Sequence, residues 1–227
     1  MNNDDIKIND NILLSGKNGN GFKLVLSNTA PHLGGNCIGE YEYNGKTYKG
    51  DCNSITIDLW KYLIEKFKIK TVLDVGCGCG YTSEIFKKLG CAVTCFDGLS
   101  YNIENSDPSL NCFVHDLTTG PFCSSIKYDL VWCCEVAEHI EEKYINNLIQ
   151  TLKNGKVIAM TAAQEGDGGH HHVNLKNKNY WIQKIEDDTY QYNNLTNYCR
   201  EIASSPDARW ESHFKRNGLL FTERSLK

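Results

Sequence analysis

From residue 54 onward, the pattern of hydrophobic and polar positions changes repeatedly between a strand period and a helix period. Short apolar runs rich in β-branched residues alternate with amphipathic segments. We predict strands at residues 71–75, 92–96, 111–114, 128–133, 156–161, 189–192 and 218–224. We predict helices at residues 54–67 with Ser54 as N-cap, 83–89, 140–152 with Gly155 as C-terminal cap, 178–185 and 195–203. This alternation predicts an α/β fold in which helices cover both faces of a mostly parallel sheet.

Residues 1–53 follow a different pattern and are predicted to form an N-terminal extension to the α/β domain at 54–227. Two apolar runs, 12–14 and 22–26, flank a glycine-rich stretch, which indicates either a hairpin or a loosely ordered arm. A second pair of runs flanks Asn44-Gly45, a dipeptide that strongly favours a tight hairpin turn. The extension is either a packing appendage or a lid that faces the substrate.

The composition is that of one globular domain with such an extension. The chain has 227 residues, of which 41% are hydrophobic and 23% are charged, and its net charge is −4. This balance gives no sign of general nucleic-acid binding, and no apolar run reaches the length of a membrane span. Residues 1–5 lack the features of a secretion signal, so we expect a cytoplasmic protein. The polar start also fits a domain excised from a longer protein, and the sequence leaves the oligomeric state open.

The chain contains eleven cysteines, which we expect to be reduced. Their number is odd, and Cys95, Cys133 and Cys134 fall inside predicted strands, where a thiol acts as a small apolar side chain. Cys77 and Cys79 are separated by one residue, which is not the spacing of a zinc knuckle or of a redox pair. We therefore predict neither a disulfide framework nor a zinc site.

Residues 72–82 read VLDVGCGCGYT and predict a strand, a glycine turn and the start of a helix. Glycine allows the sharp turn and lets a ligand approach the main chain. The helix N-terminus that follows favours anionic groups through its free N–H groups and its dipole. Asp74, Asp97 and Asp116 stand at the ends of three predicted strands. Ligands bind at the carboxyl ends of the strands in parallel sheets, so we expect a binding site there.

The positions of Asp74 and Asp97 indicate which ligand this site binds. Asp97 follows the first glycine of the turn at the offset typical of a carboxylate that accepts hydrogen bonds from ribose hydroxyls. Dinucleotide-binding turns have the spacing G-x-G-x-x-G and receive a pyrophosphate, which Asp74 would repel. The spacing here is G-x-G-x-G, and a negative charge before it suits a cationic ligand. S-adenosylmethionine carries an ammonium and a sulfonium but no phosphate, so the pattern favours it over NAD. An NAD-binding oxidoreductase remains an alternative.

These residues, together with His115-Asp116 and the run from Tyr128 to Ile140, resemble the successive motifs of the class I S-adenosylmethionine-dependent methyltransferases over about residues 54–224. The resemblance implies a Rossmann-like seven-stranded sheet whose last strand, at 218–224, is antiparallel. It also implies the cofactor-binding residues. These are Asp74 near the ammonium, Gly76, Cys77, Gly78, Gly80 and Thr82 in the turn, Asp97, Gly98 and Leu99 at the ribose, Asp116 and Leu117 at the adenine, and Cys134 and Glu135 after the fourth strand.

Methyl transfer is an in-line displacement at the sulfonium methyl carbon, and a hydroxyl acceptor must lose its proton. Histidine suits this task because its pKa lies near 7. The candidate bases are His139 after the fourth strand and His170, His171 and His172 after the fifth, with Glu138 and Asp167 behind them. The alternative interpretations are that His139 only shapes the cofactor pocket and that the triple histidine is a solvated loop.

A divalent metal held by His171, His172 and an acidic residue is a further alternative that we do not predict. Adjacent histidines diverge in an extended chain, and Mg²⁺ prefers oxygen ligands.

Several features rank the methyl acceptors. Residues 168–174, followed by Tyr180-Trp181, resemble a segment of methyltransferases from phages and large DNA viruses. The motif of DNA amino-methyltransferases is missing at 133–136, and the acidic chain disfavours an RNA enzyme. The polar extension disfavours a lipid or quinone acceptor. Aromatic side chains suit a sugar, so we predict O-methylation of a glycan or of a similar polar small molecule, without membrane partners. An RNA cap, protein or lipid acceptor and a catalytically silent binding module stay open as alternatives.

Overall fold

The computed structural model describes residues 6–9, 12–17, 23–27, 30–33, 36–38, 40–43, 46–169, 171–206, 208 and 210–226. Before residue 49, side chains are described only for Ala30, His32, Leu33 and Thr47. Among the described residues, no helix combines the length and the apolar character that a membrane span requires.

The described residues of the extension form six short strands in two antiparallel sheets. The first sheet has the order β1 (Ile6–Asn9), β2 (Ile12–Lys17), β3 (Lys23–Ser27), β4 (Asn36–Ile38). In the second, β5 (Glu40–Tyr43) pairs with β6 (Lys46–Lys49). The pairing of β5 with β6 confirms the hairpin predicted around residues 44–45, and the pairing of β2 with β3 favours the hairpin over the loosely ordered arm for residues 12–26. The turns at 18–22 and 44–45 lie outside the described residues.

A seven-stranded sheet forms the centre of the fold. Its strands are β7 (Thr71–Val75), β8 (Ala92–Asp97), β9 (Asn111–Val114), β10 (Tyr128–Cys133), β11 (Gly155–Met160), β12 (Tyr190–Tyr192) and β13 (Leu219–Glu223). Their order is β12-β13-β11-β10-β7-β8-β9. Strands β7 to β11 pair in parallel, whereas β13 is antiparallel to both of its neighbours. The predicted α/β fold, with seven strands and an antiparallel last strand, is therefore confirmed.

Seven helices accompany this sheet in the described part of the chain. They are α1 (Ile57–Phe67), α2 (Tyr81–Lys88), α3 (Ser100–Glu104), α4 (Ile145–Leu152), α5 (Lys178–Ile185), α6 (Thr196–Ile202) and α7 (His213–Asn217). The sequence did not predict α3 and α7, because five residues are too few to show a helical period.

Three local predictions about helix ends are wrong. Ser54 does not cap α1, because it belongs to a 3-10 turn at Cys52–Ser54 and the N-cap is Thr56. Helix α4 begins at Ile145 rather than at residue 140, because two 3-10 turns precede it. Gly155 is the first residue of β11 rather than a cap, and a Cβ there would lie 2.7 Å from the Val131 side chain.

Alternate residues of β10 point into two separate hydrophobic layers, which explains why its sequence is a continuous apolar run. Val131 faces the layer that contains Leu148 of α4 and Trp181 of α5. Trp132 faces the opposite layer. There its ring packs against those of Trp60, Phe86 and Phe214, with centroids 5.5, 6.1 and 5.6 Å away. Helices therefore cover both faces of the sheet, as predicted.

The expectation that the cysteines are all reduced is wrong for one pair. Cys95 of β8 and Cys112 of β9 form a disulfide. The two residues are direct partners in the parallel register of these strands, and the sequence alone cannot show this pairing. Eight further cysteines form no disulfide: Cys52, Cys77, Cys79, Cys91, Cys123, Cys133, Cys134 and Cys199.

Candidate active site

A cavity of about 370 Å³ opens at the carboxyl edge of the parallel strands. The predicted site residues that line it are Asp74, Gly76, Cys77, Gly78, Thr82, Asp97, Gly98, Asp116, Leu117, Cys134, Glu135, His139 and His172. Gly80, Leu99 and His171 do not belong to its lining. His170 lies outside the described residues.

The backbone of the glycine turn has a conformation that only glycine adopts easily. Gly76, Gly78 and Gly80 have φ values of 69°, 55° and 78°, a region that favours glycine. A Cβ on Gly76 would lie 2.3 Å from a methyl carbon of Val136. Gly80 does not touch the cavity because it is the N-cap of α2. The turn therefore requires glycine both for its conformation and for close packing.

The Asp97 carboxylate links the turn to the end of β8. It accepts hydrogen bonds from the Gly78 N–H at 2.9 Å, the Leu99 N–H at 2.9 Å and the Asn102 amide at 3.0 Å. Burial raises its pKa, and these three donors partly oppose that shift. A carboxylate has about four acceptor positions, so one remains for a ribose hydroxyl.

Asp74 is a buried carboxyl whose charge depends on the ligand. It is 2% exposed, and Ser83 Oγ donates a hydrogen bond to it at 2.6 Å. Burial raises the pKa of Asp74 to about 7, while the Ser83 hydrogen bond lowers it and the charge of Asp97 raises it. A cationic group placed beside this carboxyl would favour its ionised form. The geometry suits the ammonium of the cofactor.

Two residues of the extension cover the predicted adenine end of the cavity. His32 Nε2 lies 3.4 Å from an Asp116 carboxylate oxygen, and a Cβ on Gly98 would lie 2.4 Å from Leu33 Cδ2. Asp116 also accepts a hydrogen bond from the Thr118 N–H at 2.8 Å. Burial raises the pKa of Asp116, but these hydrogen bonds outweigh it and hold the pKa below its usual value.

Glu138, His139 and His172 form a compact group that we call the histidine–glutamate cluster. The two imidazole rings meet edge to face with centroids 5.0 Å apart, and both line the cavity. The Glu138 side chain is fully buried behind them. Burial raises the pKa of Glu138 well above its usual value, and the charge of Glu135 raises it further.

The structure therefore separates the candidate bases. His139 and His172 come together, whereas His171 has a φ of 51° and its side chain stays outside the cluster. The Asp167 carboxylate accepts hydrogen bonds from the Gln164 N–H in its own loop and from the Asn217 amide at the end of α7, and no hydrogen bond between it and a histidine is recorded among the described residues.

His213 is a site residue that the sequence analysis missed. Its Nε2 lies 2.7 Å from the Asp51 carboxylate and its Nδ1 lies 3.2 Å from the Glu135 carboxylate. Both carboxylates raise the pKa of His213, against the effect of its burial. Burial raises the pKa of Asp51, but the contact with His213, together with hydrogen bonds from Asn53 and Ser54, outweighs that effect and lowers the pKa overall. The sequence marks only its partner Asp51, through the Asp51-x-x-Ser54 pattern of a helix N-cap, and gives no signal for His213 itself.

Glu135 has an unusual backbone conformation and a fixed side chain. Its φ is 55°, and its carboxylate accepts a hydrogen bond from Thr161 Oγ1 at 2.8 Å in addition to the contact with His213. Thr161 Oγ1 also accepts a hydrogen bond from the Glu135 N–H at 2.8 Å. This wall of the cavity therefore holds one imidazole between two oriented carboxylates.

Comparison with known proteins matches residues 48–226 to a family described as a methyltransferase domain. The chain is 35% identical over 118 residues to the ubiquinone biosynthesis O-methyltransferase of Rickettsia typhi, covering 44% of this chain and 47% of that protein. It is 33% identical over 110 residues to the mitochondrial ubiquinone biosynthesis O-methyltransferase of Schizosaccharomyces pombe, covering 43% and 40%. The matches thus span about half the length of these curated relatives or less.

Two solved structures share the fold. The magnesium protoporphyrin IX methyltransferase of Synechocystis PCC 6803, with bound S-adenosylhomocysteine, gives a TM-score of 0.54 at 14% identity and covers 77% of this chain and 84% of that chain. A plantazolicin methyltransferase with a bound substrate analogue and S-adenosylhomocysteine gives 0.52 at 15% identity and covers 76% and 84%.

The family match favours the methyltransferase over the NAD-dependent oxidoreductase. The relatives named here carry no carbohydrate or viral description, so those two expectations stay predictions. Their names refer to ubiquinone biosynthesis, an acceptor class that the sequence analysis ranked low. The chain belongs to the methyltransferase domain family.

Proposed function

We propose that this protein transfers the methyl group of S-adenosylmethionine to a hydroxyl group of a small, uncharged molecule. The observation that carries this proposal is the position of His139 and His172. Both rings line the same cavity as the glycine turn, Asp74 and Asp97. An acceptor bound against the two imidazoles would share the cavity with the sulfonium.

The charges around the cavity restrict the acceptor. Five carboxyl groups line the cavity, and they outnumber the cationic groups Lys49 and His213, of which His213 has a raised pKa; the carboxyl groups are Asp51, Asp74, Asp97, Asp116 and Glu135. These carboxylates disfavour an anionic acceptor such as a phosphorylated compound. A neutral hydroxyl compound fits them better, because it needs only an acceptor for its proton.

Imidazole is suited to remove that proton. Its ordinary pKa of about 6.5 leaves a large neutral fraction near pH 7, and the base has to act only as the oxygen attacks the methyl carbon. A phenol, with a pKa of about 10 as in tyrosine, is the easier partner for such a base. A sugar hydroxyl is the acceptor that the sequence favours. The names of the curated relatives refer to ubiquinone biosynthesis, so we propose an aromatic hydroxyl as the second acceptor class.

The test is methyl transfer from labelled S-adenosylmethionine to two acceptor panels, one of neutral sugars and glycans and one of phenols and catechols. The matched variants are His172→Gln and His171→Asn. We expect His172→Gln to lower kcat by about 10²–10⁴-fold with little change in cofactor affinity. His171→Asn should leave kcat close to that of the wild type, since asparagine tolerates a positive φ.

Three results would count against the proposal. Equal turnover of the two variants would exclude His172 from proton transfer. Cofactor binding without turnover on either panel would favour the silent binding module. Transfer to protein or RNA instead would exclude a small-molecule acceptor.

A further inference from the structure

The 3-10 turn Pro31–Leu33 belongs to the extension but lies against the cofactor cavity. It connects β3 to β4, two strands that pair with each other, and the Leu33 N–H closes the turn by donating to the Ala30 carbonyl oxygen at 2.9 Å. His32 and Leu33 both line the cavity. The family match begins at residue 48, so a part of the chain outside the matched domain makes this contact.

His32 completes a set of donors that fixes the Asp116 carboxylate. The Thr118 N–H donates to Oδ1 of Asp116 at 2.8 Å, and His32 Nε2 lies 3.4 Å from Oδ2. The pKa of Asp116 is lowered, so this side chain is ionised near pH 7 and only accepts. The His32 Nε2 atom therefore carries the proton of this long hydrogen bond. One donor on each oxygen opposes rotation of the carboxylate about χ2.

This arrangement leaves acceptor positions of Asp116 for the cofactor. A carboxylate has about four acceptor positions, and the two donors occupy two of them. The Asp116 side chain is 25% exposed and lines the cavity, so a ligand can reach it from that side. The amino group of adenine is a hydrogen-bond donor, and an ionised carboxylate held in a fixed plane is a strong acceptor for it.

Leu33 covers the same end of the cavity with apolar surface. A Cβ on Gly98 would lie 2.4 Å from Leu33 Cδ2, so the leucine lies directly on the backbone that follows Asp97. Leu117 lines the same cavity from the segment after β9. A purine ring is flat and largely apolar, so its binding is stabilised when leucine side chains remove its surface from water.

We propose that His32 and Leu33 complete the binding site for the nucleoside part of S-adenosylmethionine. His32 is a positioning residue that acts through Asp116, and Leu33 contacts the ribose and the purine. The sequence analysis left the extension as a packing appendage or as a lid that faces the substrate. In this proposal the extension serves the cofactor instead. The proposal rests on the cofactor of the proposed function, but not on the acceptor or on the base.

Isothermal titration calorimetry with S-adenosylhomocysteine tests both residues in the full chain. We expect Leu33→Ala to weaken binding about 5–10-fold, because part of an apolar contact is lost. We expect His32→Ala to weaken it about 3–10-fold, because the carboxylate loses one of its two donors. Thr47→Ala is the matched control, since Thr47 lies in β6 of the same extension, is exposed and does not line the cavity. Wild-type affinity in both cavity variants would overturn the proposal.

The positioning role of His32 has a readout that a general loosening of the fold would not change. The probe is the analogue of S-adenosylhomocysteine in which purine replaces adenine, so that the 6-amino group is missing. The wild type should bind S-adenosylhomocysteine more tightly than this analogue, and the ratio of the two affinities should fall towards 1 in His32→Ala.

Two further variants complete this comparison. Leu33→Ala should keep the wild-type ratio, because the leucine contacts both ligands alike. His32→Gln should restore part of the ratio, because the glutamine amide can donate to Asp116 in place of the imidazole. A ratio in His32→Ala equal to that of the wild type would refute the role of His32.

Nuclear magnetic resonance on the wild-type protein keeps the test independent of whether the variants fold. The methyl groups of Leu33 should show nuclear Overhauser contacts to the adenosine protons of bound S-adenosylhomocysteine, and a complex without these contacts would overturn the proposal. The two proposals fail in different ways. A wild type that does not bind S-adenosylhomocysteine would refute the proposed function as well. Tight binding that neither variant changes would refute only the role of His32 and Leu33.

Discussion

The Asp97 carboxylate accepts a hydrogen bond from the Gly78 N–H at 2.9 Å, so the end of β8 holds the glycine turn that follows β7. The same carboxylate also accepts from the Leu99 N–H and the Asn102 amide. One side chain thus fixes the shape of the turn and presents an acceptor to the cavity. Binding of the cofactor and integrity of the turn should therefore be lost together.

Replacing Asp97 with asparagine should weaken S-adenosylmethionine binding about 10–100-fold. The asparagine NH₂ group would face at least one N–H donor of the protein, and it could not accept a hydrogen bond from a ribose hydroxyl. Isothermal titration calorimetry measures this change. Asp107→Asn is the matched control, since Asp107 lies outside the cavity lining and its carboxylate accepts a hydrogen bond from the Ser109 N–H. Equal cofactor affinity in the wild type and Asp97→Asn would contradict the assignment.

Cofactor affinity should depend on the protonation of Asp74. The pKa of this buried carboxyl is about 7, so the free protein holds the proton below that pH. Because the cofactor's ammonium favours the ionised carboxylate, affinity should fall by up to about tenfold per pH unit below about pH 7 and level off above it. Calorimetry in buffers of different ionisation enthalpy should also detect proton release on binding. Asp74→Asn should abolish this pH dependence, and a persistent slope would assign it to another group.

Gly76 and Gly90 form a matched pair for separating backbone strain from steric conflict. Both have a positive φ, 69° and 92°, but a Cβ on Gly76 would lie 2.3 Å from Val136 whereas nothing lies within 4 Å of one on Gly90. Gly90→Ala should cost about 1 kcal/mol of unfolding free energy. Gly76→Ala should cost about 2–4 kcal/mol and lower cofactor affinity. Urea denaturation gives both values. Equal losses of unfolding free energy would show that the contact with Val136 adds nothing to the cost of the Gly76→Ala substitution.

The contact between His213 and Asp51 should stabilise the protein in a limited pH range. The folded state raises the pKa of His213, so its contribution is complete below the ordinary histidine value and is lost as the pH rises through the raised value. The folded state lowers the pKa of Asp51, so the stability that Asp51 contributes is lost only in strong acid. The stability difference between the wild type and His213→Gln should therefore be larger at about pH 5.5 than at about pH 9.

Urea denaturation at the two pH values tests this prediction. Asp51→Asn serves as the partner variant. The loss of unfolding free energy in the double variant His213→Gln/Asp51→Asn should not exceed the sum of the losses in the two single variants. A difference that grows towards high pH would contradict the proposed charge state of His213.

The sequence predicted that the glycine turn and the acidic strand ends lie close together, because the signals for them are local. The apolar run of β7, the positive-φ glycines and the acidic residues at strand ends lie within a few residues of each other or follow from the topology of a parallel sheet. Asp74, Asp97 and Asp116 accordingly meet at one cavity, as expected.

The opposite wall of the cavity depends on contacts between distant segments, and the sequence named His139 and His172 as candidates without showing that they meet. His213 lies 162 residues from Asp51, and its helix is too short to show a period. His139 and His172 come together because the carbonyl oxygen of Glu138 holds the loop at Val173 and Asn174. The partner of Cys95 follows from strand register in the same way. None of these relationships leaves a pattern in the chain.

The central claim is methyl transfer from S-adenosylmethionine to an oxygen atom of a small acceptor at the wall of His139 and His172. The most direct measurement uses S-adenosylmethionine with a ¹³C-labelled methyl group, the two acceptor panels, and nuclear magnetic resonance to identify the atom that receives the label. The account predicts an O–¹³CH₃ product whose formation is lost in His172→Gln but kept in His171→Asn. Label on nitrogen, carbon or the protein itself, or an O-methyl product formed equally by both variants, would contradict it.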